Sequence, residues 1–340
     1  MELRRLGQSG LKVSALSLGA MTFGESNTFM RGVTSPDDEA RRVFDAALEA
    51  GVNLVDTANI YGDGESEKLL GAWMKGKRNR ALIATKCRFP FGMGQRAAGP
   101  HDQGLSRKHV MQACEDSLRR LDVDAIDLYQ VHMQDRSVRI EETLRALDDL
   151  VRQGKVRYVG CSNYTGYRLA EAVKCAKRIG SARYESVQLQ WSLVVRGAER
   201  EVIPACEAFG LGVMVWSPLA RGFLSGKYER GMAPPAGARL EQWKDSYRSI
   251  DREENWRILG KVREIAVRHE TTPAAVSLAW LLAKPSVSTI VVGARTVAQW
   301  QDNLRALSVS LSADDVRALD EASVPEWGYP YDFIGMREPW

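Results

Sequence analysis

Four residues of this 340-residue chain, Asp56, Tyr61, Lys86 and His132, have the types and positions to do chemistry together. Asp56 closes the apolar run 53–56, and Tyr61 follows within Asp56-Thr57-Ala58-Asn59-Ile60-Tyr61-Gly62. Lys86 comes directly after the run 81–85, and His132 ends the run 126–132. A phenol has an ordinary pKa of about 10, too high for easy proton donation at neutral pH. A lysine ammonium nearby favours the phenolate and is expected to lower that pKa, and a histidine can hydrogen-bond the same oxygen. A buried lysine needs a counter-charge, which Asp56 can supply. Such a set suits protonation of a carbonyl oxygen while another group attacks the carbon. No serine or cysteine stands paired with a base, so acyl transfer is disfavoured and the attacking group is expected to be a hydride.

The second half of the chain offers residues for a hydride carrier. Gly160-Cys161-Ser162-Asn163 supplies a hydroxyl and an amide, and Gln188 ends another apolar run. Trp216 ends the next, where a flat ring can stack on a nicotinamide. Ser217-Pro218-Leu219 follows and leads through Gly222 to Lys227. Gly293-Ala294-Arg295 precedes a helical segment, an anion site by helix-terminus geometry. Arg295 and Lys227 can both meet a 2′-phosphate, which argues for NADP over NAD.

These residues must be positioned by the elements around them. Short β-rich runs at 16–19, 53–56, 81–85, 126–132, 156–162, 186–189, 212–217 and 289–292 alternate with helical patterns such as 37–50, 107–121, 140–153 and 198–209. Gly51, Gly154, Gly180 and Gly210 stand where helices end, and Pro36 and Pro273 where helices begin. Eight strand–helix units predict a closed parallel (β/α)8 barrel forming one domain over residues 1–340, with 324–340 as a tail. In that fold catalytic groups sit at the C-terminal ends of different strands, which is where the four residues fall. Each alone has a plainer reading, as a helix cap, a snorkelling or packing residue, or a satisfied polar group. Four on consecutive units favour a shared site. Segments 25–35, 88–104 and 220–253 are too long for plain connections, and 220–253 with Pro234-Pro235 reads as loop. A doubly wound sheet needs a phosphate loop after its first strand, which Leu18–Gly24 does not supply. Gly92-Met93-Gly94-Gln95-Arg96-Ala97 and Gly62-Asp63-Gly64 read as turns.

Composition narrows the class further. The chain carries 47 Lys and Arg against 43 Asp and Glu, a net charge of +4, with 44% apolar residues. That is globular composition, without the concentrated basic patch of a nucleic-acid binder. The basic run Lys75, Lys77, Arg78 and Arg80 reads as a solvated helix end. No apolar stretch of about 18 residues suggests a membrane span, and no leader is evident after Met1. The five cysteines form no C-x-x-C, and the four histidines have no zinc spacing, so a reduced cytoplasmic location without a metal site is expected.

These motifs, in order, resemble the aldo-keto reductase superfamily from Leu6 to about Leu307. The matching segments are Asp56–Gly62, Lys86, Gln130–Asp135, Gly160–Asn163, Trp216–Ala220 and the Gly293 segment with Gln299 and Asn303. The resemblance implies a (β/α)8 barrel and NADPH-dependent carbonyl reduction. It implies Tyr61 as general acid, tuned by Lys86 and Asp56, with His132 orienting the carbonyl. Ser162, Asn163 and Gln188 would hold the carboxamide over Trp216. Thr22, Asp56, Ser217, Pro218, Leu219, Gly222 and Lys227 would line the cofactor, with Gly293, Arg295, Gln299 and Asn303 at its adenosine phosphate. Trp216 and Trp191 replace tyrosines frequent in relatives. Met21, Phe23, Phe29, Phe91, Met133, Trp191, Trp327 and Tyr331 are candidates for an apolar substrate wall, favouring a bulky or aromatic carbonyl.

Two other readings stand beside this one. The barrel also resembles the cytoplasmic β subunits of potassium channels, where NADP binding serves sensing or assembly with slow turnover. A Schiff-base aldolase using Lys86 as nucleophile is the third.

Overall fold

The computed structural model describes residues 1–25, 30–91 and 99–337. Phe29 and the glycine-containing segment 92–97 lie outside the described residues. Strands β1 (Leu3–Arg5) and β2 (Lys12–Ser14) form an antiparallel hairpin. Strands β3 (Leu16–Gly19), β4 (Leu54–Asp56), β5 (Leu82–Cys87), β6 (Ile126–Val131), β7 (Val156–Ser162), β8 (Tyr184–Gln190), β9 (Gly212–Trp216) and β10 (Val287–Val292) then pair in parallel, and β10 closes on β3. This is the expected (β/α)8 barrel.

Helices α1 (Asp37–Glu49), α2 (Glu65–Met74), α3 (Arg107–Leu121), α4 (Ile140–Arg152), α5 (Gly166–Ile179) and α6 (Val202–Phe209) follow β4's predecessor and each strand through β8 in turn. Each forms because apolar residues recur at helical spacing. In α4, Ile140, Leu144, Leu147 and Leu150 are buried while Glu141, Glu142 and Arg145 face outward or partly so. Gly51, Gly154, Gly180 and Gly210 adopt positive φ at helix ends as expected. The segment after β9 is less loop-like than expected, since it contains α7 (Arg239–Gln242) and α8 (Lys244–Ile250). Then come α9 (Glu253–Arg268), α10 (Pro273–Leu282), α11 (Val297–Leu304) after β10, α12 (Ala313–Ala322) and α13 (Tyr331–Gly335). The helix expected over 198–209 is divided, because Glu201 at φ −140° separates a 3-10 turn, Gly197–Arg200, from α6. The basic run after α2 is paired as well as solvated, with Lys75, Lys77 and Arg78 on Asp122, Asp45 and Asp127.

The barrel interior is layered, and the layering makes the site. Leu54, Ala84, Leu128 and Met214 form an apolar floor with Leu6 and Val13, so the hairpin end seals the N-terminal mouth. Side chains on a strand return to the same face every second residue. Two residues beyond Leu54, Ala84 and Leu128 therefore stand Asp56, Lys86 and Gln130, a polar layer directly above the floor. No helix among the described residues is long and apolar enough to cross a membrane. No cluster that could hold a metal ion occurs among them.

Candidate active site

The polar layer is built around Asp56. Lys86 is fully buried, and its Nζ donates to Asp56 Oδ1 at 2.5 Å and to the Thr57 carbonyl at 2.9 Å. Lys86 Nζ also lies 5.1 Å from the centroid of the Tyr61 ring. Tyr61 reaches this position because the turn Tyr61–Gly64 doubles back, with Gly62 and Gly64 at φ 56° and 88°. A Cβ on Gly62 would stand 3.2 Å from the Phe23 carbonyl, so the turn packs closely only without one.

Burial pushes the Tyr61 phenol above its ordinary pKa, and the opposing Lys86 charge does not overcome it. The expectation of a lowered phenol pKa is thereby corrected: Lys86 acts in that direction, but desolvation of the phenolate is larger. Burial also works against the Lys86 ammonium, yet Asp56 and Tyr61 together raise its pKa. His132 is held well below its ordinary value by burial and by the Lys86 and Arg88 charges, so its imidazole is neutral at neutral pH. Its ring meets Tyr61 edge-on at 5.9 Å and Phe89 at 5.0 Å between centroids.

The backbone beyond β5 is pinned residue by residue. The Lys86 carbonyl accepts from Asn59 N, the Cys87 carbonyl from His132 N, the Arg88 carbonyl from Gly104 N and the Phe89 carbonyl from Asn59 Nδ2. Arg88 is held there at φ +124°, a conformation costly outside glycine. Sequence reasoning missed Asn59 and Phe89 as site neighbours. Asn59 lies inside the Asp56–Gly62 motif, which was the available signal.

A second group of residues continues the rim across β7, β8 and β9. Gln188 and Gln130 both donate Nε2 to Asp56 Oδ2, at 2.8 and 3.0 Å. Asn163 donates to the His132 carbonyl at 2.9 Å and to Ser162 Oγ at 3.0 Å, and accepts from Trp216 Nε1 at 3.2 Å. Asn163, Ser217, Ala220 and Arg221 all adopt positive φ, with Gly222 at 92° completing the run. The N–H groups of Ala220 and Gly222 donate inside this turn, to the Ser217 and Leu219 carbonyls, both at 2.9 Å. Ser217 Oγ accepts from Arg221 N at 3.2 Å, with Pro218 buried and Leu219 half-buried in the same turn.

Beyond this turn four cations converge. Arg239 is pushed down to about 10 by burial and by the Arg295 and Arg221 charges. Partial burial, Arg295 and Arg239 likewise depress Lys227, and burial depresses Arg221. Among the described residues none of Arg221, Lys227, Arg239 and Arg295 makes an ion pair. Mutually repelling cations kept together without a carboxylate suit a phosphorylated ligand. Arg239 and Arg221 were missed from sequence because their segment read as loop. Arg295 donates to the Gly237 carbonyl at 2.7 Å and its backbone N–H to Gln299 Oε1 at 2.9 Å. Gly293 and Gln299 are exposed, Asn303 is buried, and Thr22 Oγ1 faces the Ala294 carbonyl at 3.5 Å.

The residues expected to form a substrate wall are not gathered in one place. Phe23 is fully buried against Trp73, with ring centroids 5.6 Å apart, because a large apolar ring beside the core packs inward. Trp191 is buried edge-on to Trp280, its Nε1 donating to Glu199 at 2.7 Å. Phe91 is half-exposed under the Arg120 guanidinium. Trp327 lines a groove of about 580 Å³ with Arg196, Val316 and Asp320, which contains none of the residues around Asp56. Tyr331 instead hydrogen-bonds Glu201 and lies under Arg200. Met21 and Met133 stand half-buried beyond β3 and β6.

Comparison with known proteins agrees with this architecture. The family model described as Aldo/keto reductase family matches residues 15–324. The chain is 37% identical to "Uncharacterized oxidoreductase YrpG" of Bacillus subtilis, covering 94% of this chain and 95% of that protein. It is 33% identical to versiconal hemiacetal acetate reductase of Aspergillus parasiticus, over 97% and 99% of the two chains. It is 34% identical to "Probable voltage-gated potassium channel subunit beta" of Oryza sativa, over 91% and 92%. The match spans the barrel strands that carry the polar layer, and on that extent the chain belongs to the aldo/keto reductase family, oxidoreductases that generally use a nicotinamide cofactor and small-molecule substrates.

Proposed function

We propose that this protein reduces an aldehyde or ketone to an alcohol with NADPH, with Tyr61 as the general acid. The observation that carries the reading is Tyr61 standing over Lys86, itself paired with Asp56, beside a neutral His132. When bound, the reduced nicotinamide supplies the hydride. Tyr61 Oη keeps its proton through neutral pH and gives it to the carbonyl oxygen as negative charge develops there. The phenolate left behind is stabilised by the Lys86 ammonium, which Asp56 holds in place. His132, being neutral, donates one N–H to the carbonyl oxygen and does not compete for the Tyr61 proton. Asn163, Ser162 and Gln188 offer polar atoms to the carboxamide, with the Trp216 ring beneath. The Arg221, Lys227, Arg239 and Arg295 cluster beside the turn at 217–222 fits the diphosphate and a 2′-phosphate, which is why NADPH is preferred to NADH.

The test is loss of NADPH absorbance with an aromatic aldehyde, beside NADH and beside Tyr61→Phe. The expected result is turnover with NADPH that Tyr61→Phe lowers by about 10²- to 10⁴-fold while NADPH still binds. A Tyr61→Phe variant turning over at the parent rate overturns the assignment. The likeness to proteins named as potassium channel β subunits supports a second reading, a nucleotide-binding regulatory module. Stoichiometric NADPH binding with almost no turnover of any aldehyde would favour that module.

A further inference from the structure

We propose that Arg88 selects carbonyl substrates that carry a carboxylate, binding that anionic end while the carbonyl oxygen lies at Tyr61 and His132. This rests on the reading of Tyr61 and His132 as the groups that meet the carbonyl. Arg88 stands two residues beyond Lys86, just past the end of β5 on the rim that carries the site. Its guanidinium carbon lies 5.1 Å from the centroid of the Phe89 ring, which lies 5.0 Å from that of the His132 ring. The guanidinium is thus no farther from His132 than these two steps. Its charge joins burial and Lys86 in keeping the imidazole neutral.

This cation has been left without an anion. Among the described residues Arg88 makes no ion pair and donates no side-chain hydrogen bond, and its Nε is closed off from solvent with no acceptor. Other arginines close to the rim are spent, Arg120 on Glu67, Arg168 on Glu171 and Arg196 on Glu199. Asp135 gives its oxygens to Leu105 N and to Ser137 N and Oγ instead. An arginine cannot relieve such a position by losing its proton. The backbone is an independent observation. A φ of +124° suits glycine and is costly for any other residue, yet the bonds to the carbonyls of Cys87, Arg88 and Phe89 impose it. What Arg88 contributes in place of a glycine is therefore its side chain. A carboxylate matches it, since two acceptor oxygens meet the guanidinium fork and one negative charge balances one positive. A phosphate dianion would stay half-neutralised.

The experiment measures kcat/KM with NADPH for the meta and para carboxybenzaldehydes beside their methyl esters, in the parent, Arg88→Gly and Arg88→Gln. The esters keep the shape of the acids and remove the charge. Charge-assisted hydrogen bonds from Arg88 predict that the parent prefers an acid to its ester by about 10- to 100-fold, mainly through a lower KM. In Arg88→Gly that ratio should fall to near unity, the loss lying in the KM of the acid. Any effect of the missing charge on His132 acts on acid and ester alike and leaves the ratio untouched. Glycine takes this backbone without strain, so Arg88→Gly should fold as the parent does, which circular dichroism checks. Arg88→Gln, without the charge, carries the same test if Arg88→Gly does not fold. A parent that turns over acids and esters alike overturns the proposal, and so does a preference that survives in the variants. A parent that oxidises NADPH with none of these compounds, nor with benzaldehyde, instead defeats the reductase reading on which the proposal stands.

Discussion

Lys86 and Asp56 hold each other in place at the centre of the barrel, where neither has another counter-charge among the described residues, and this makes their joint removal informative. Truncating one partner of a buried pair leaves a lone buried charge, which costs about 3–5 kcal/mol. Lys86→Met is therefore expected to lose that much stability in denaturant unfolding, together with its activity. The double variant Asp56→Asn with Lys86→Met has no lone charge, so it should recover most of the stability and none of the turnover. Recovery of turnover would remove Lys86 from the proton-transfer chemistry. The raised phenol pKa gives a second expectation. The rate of carbonyl reduction against pH should stay level through neutrality and fall only as pH rises through the Tyr61 pKa, above the usual value of about 10. Asp56, Lys86 and His132 were legible because each stands at the end of an apolar run, and a strand end on a barrel is a place in space, while Tyr61 was legible from the motif that follows Asp56. The aromatic wall was not legible. Phe23, Trp191 and Trp327 lie in or beside loops, where no period says which way a ring points, and burial drew the first two into the core.

The elements tell a similar story of what periodicity encodes and what it leaves out. Strands β3 and β7 and helix α3 have the bounds their patterns predict, since each is a long or cleanly bounded apolar period. The β1–β2 hairpin left no such trace, because each strand is three residues long and mixed in polarity. Its worth appears only in three dimensions, when Leu6 and Val13 cover the barrel floor. The junction of α9 and α12 was equally hidden. There Ser312 and Asp315 form a capping box at the start of α12, and Asp315 also accepts from Arg268 at 2.7 Å and His269 at 2.9 Å at the end of α9. Burial opposes its ionisation, yet Ser312, His269 and Arg268 bring the Asp315 carboxyl down to about 2. A depressed carboxyl pKa stabilises the fold above the unfolded value near 4, and that contribution is lost as pH falls through about 2. Asp315→Asn should accordingly unfold about 1–2 kcal/mol more easily at pH 7. The deficit should shrink below about pH 4, and a deficit that grew on acidification would show that the carboxylate does not tie the two helices together.

Across the whole molecule the net charge of +4 says little, because what matters is where charge is left unpaired. Most surface cations sit beside a carboxylate, as Arg41 does with Asp45 and Lys68 with Glu65. Arg221, Lys227, Arg239 and Arg295 do not, and they meet only because the segment after β9 folds back through α7 onto the end of β10. Lys227 and Arg295 could be nominated from the strand-end motifs that precede them. Arg239 could not, since its segment carries no recognisable period and its place depends on the chain folding back over the rim. A phosphate bound by this cluster gains charge-assisted hydrogen bonds worth about 1.5–3 kcal/mol each. Arg239→Met should therefore weaken NADPH binding by about 10- to 100-fold, and NADH, which lacks the 2′-phosphate, by little. Salt should act in the same sense, lowering affinity for NADPH more steeply than for NADH as the cluster is screened. Equal losses for both nucleotides in Arg239→Met would move the cluster from the 2′-phosphate to the diphosphate that the two share.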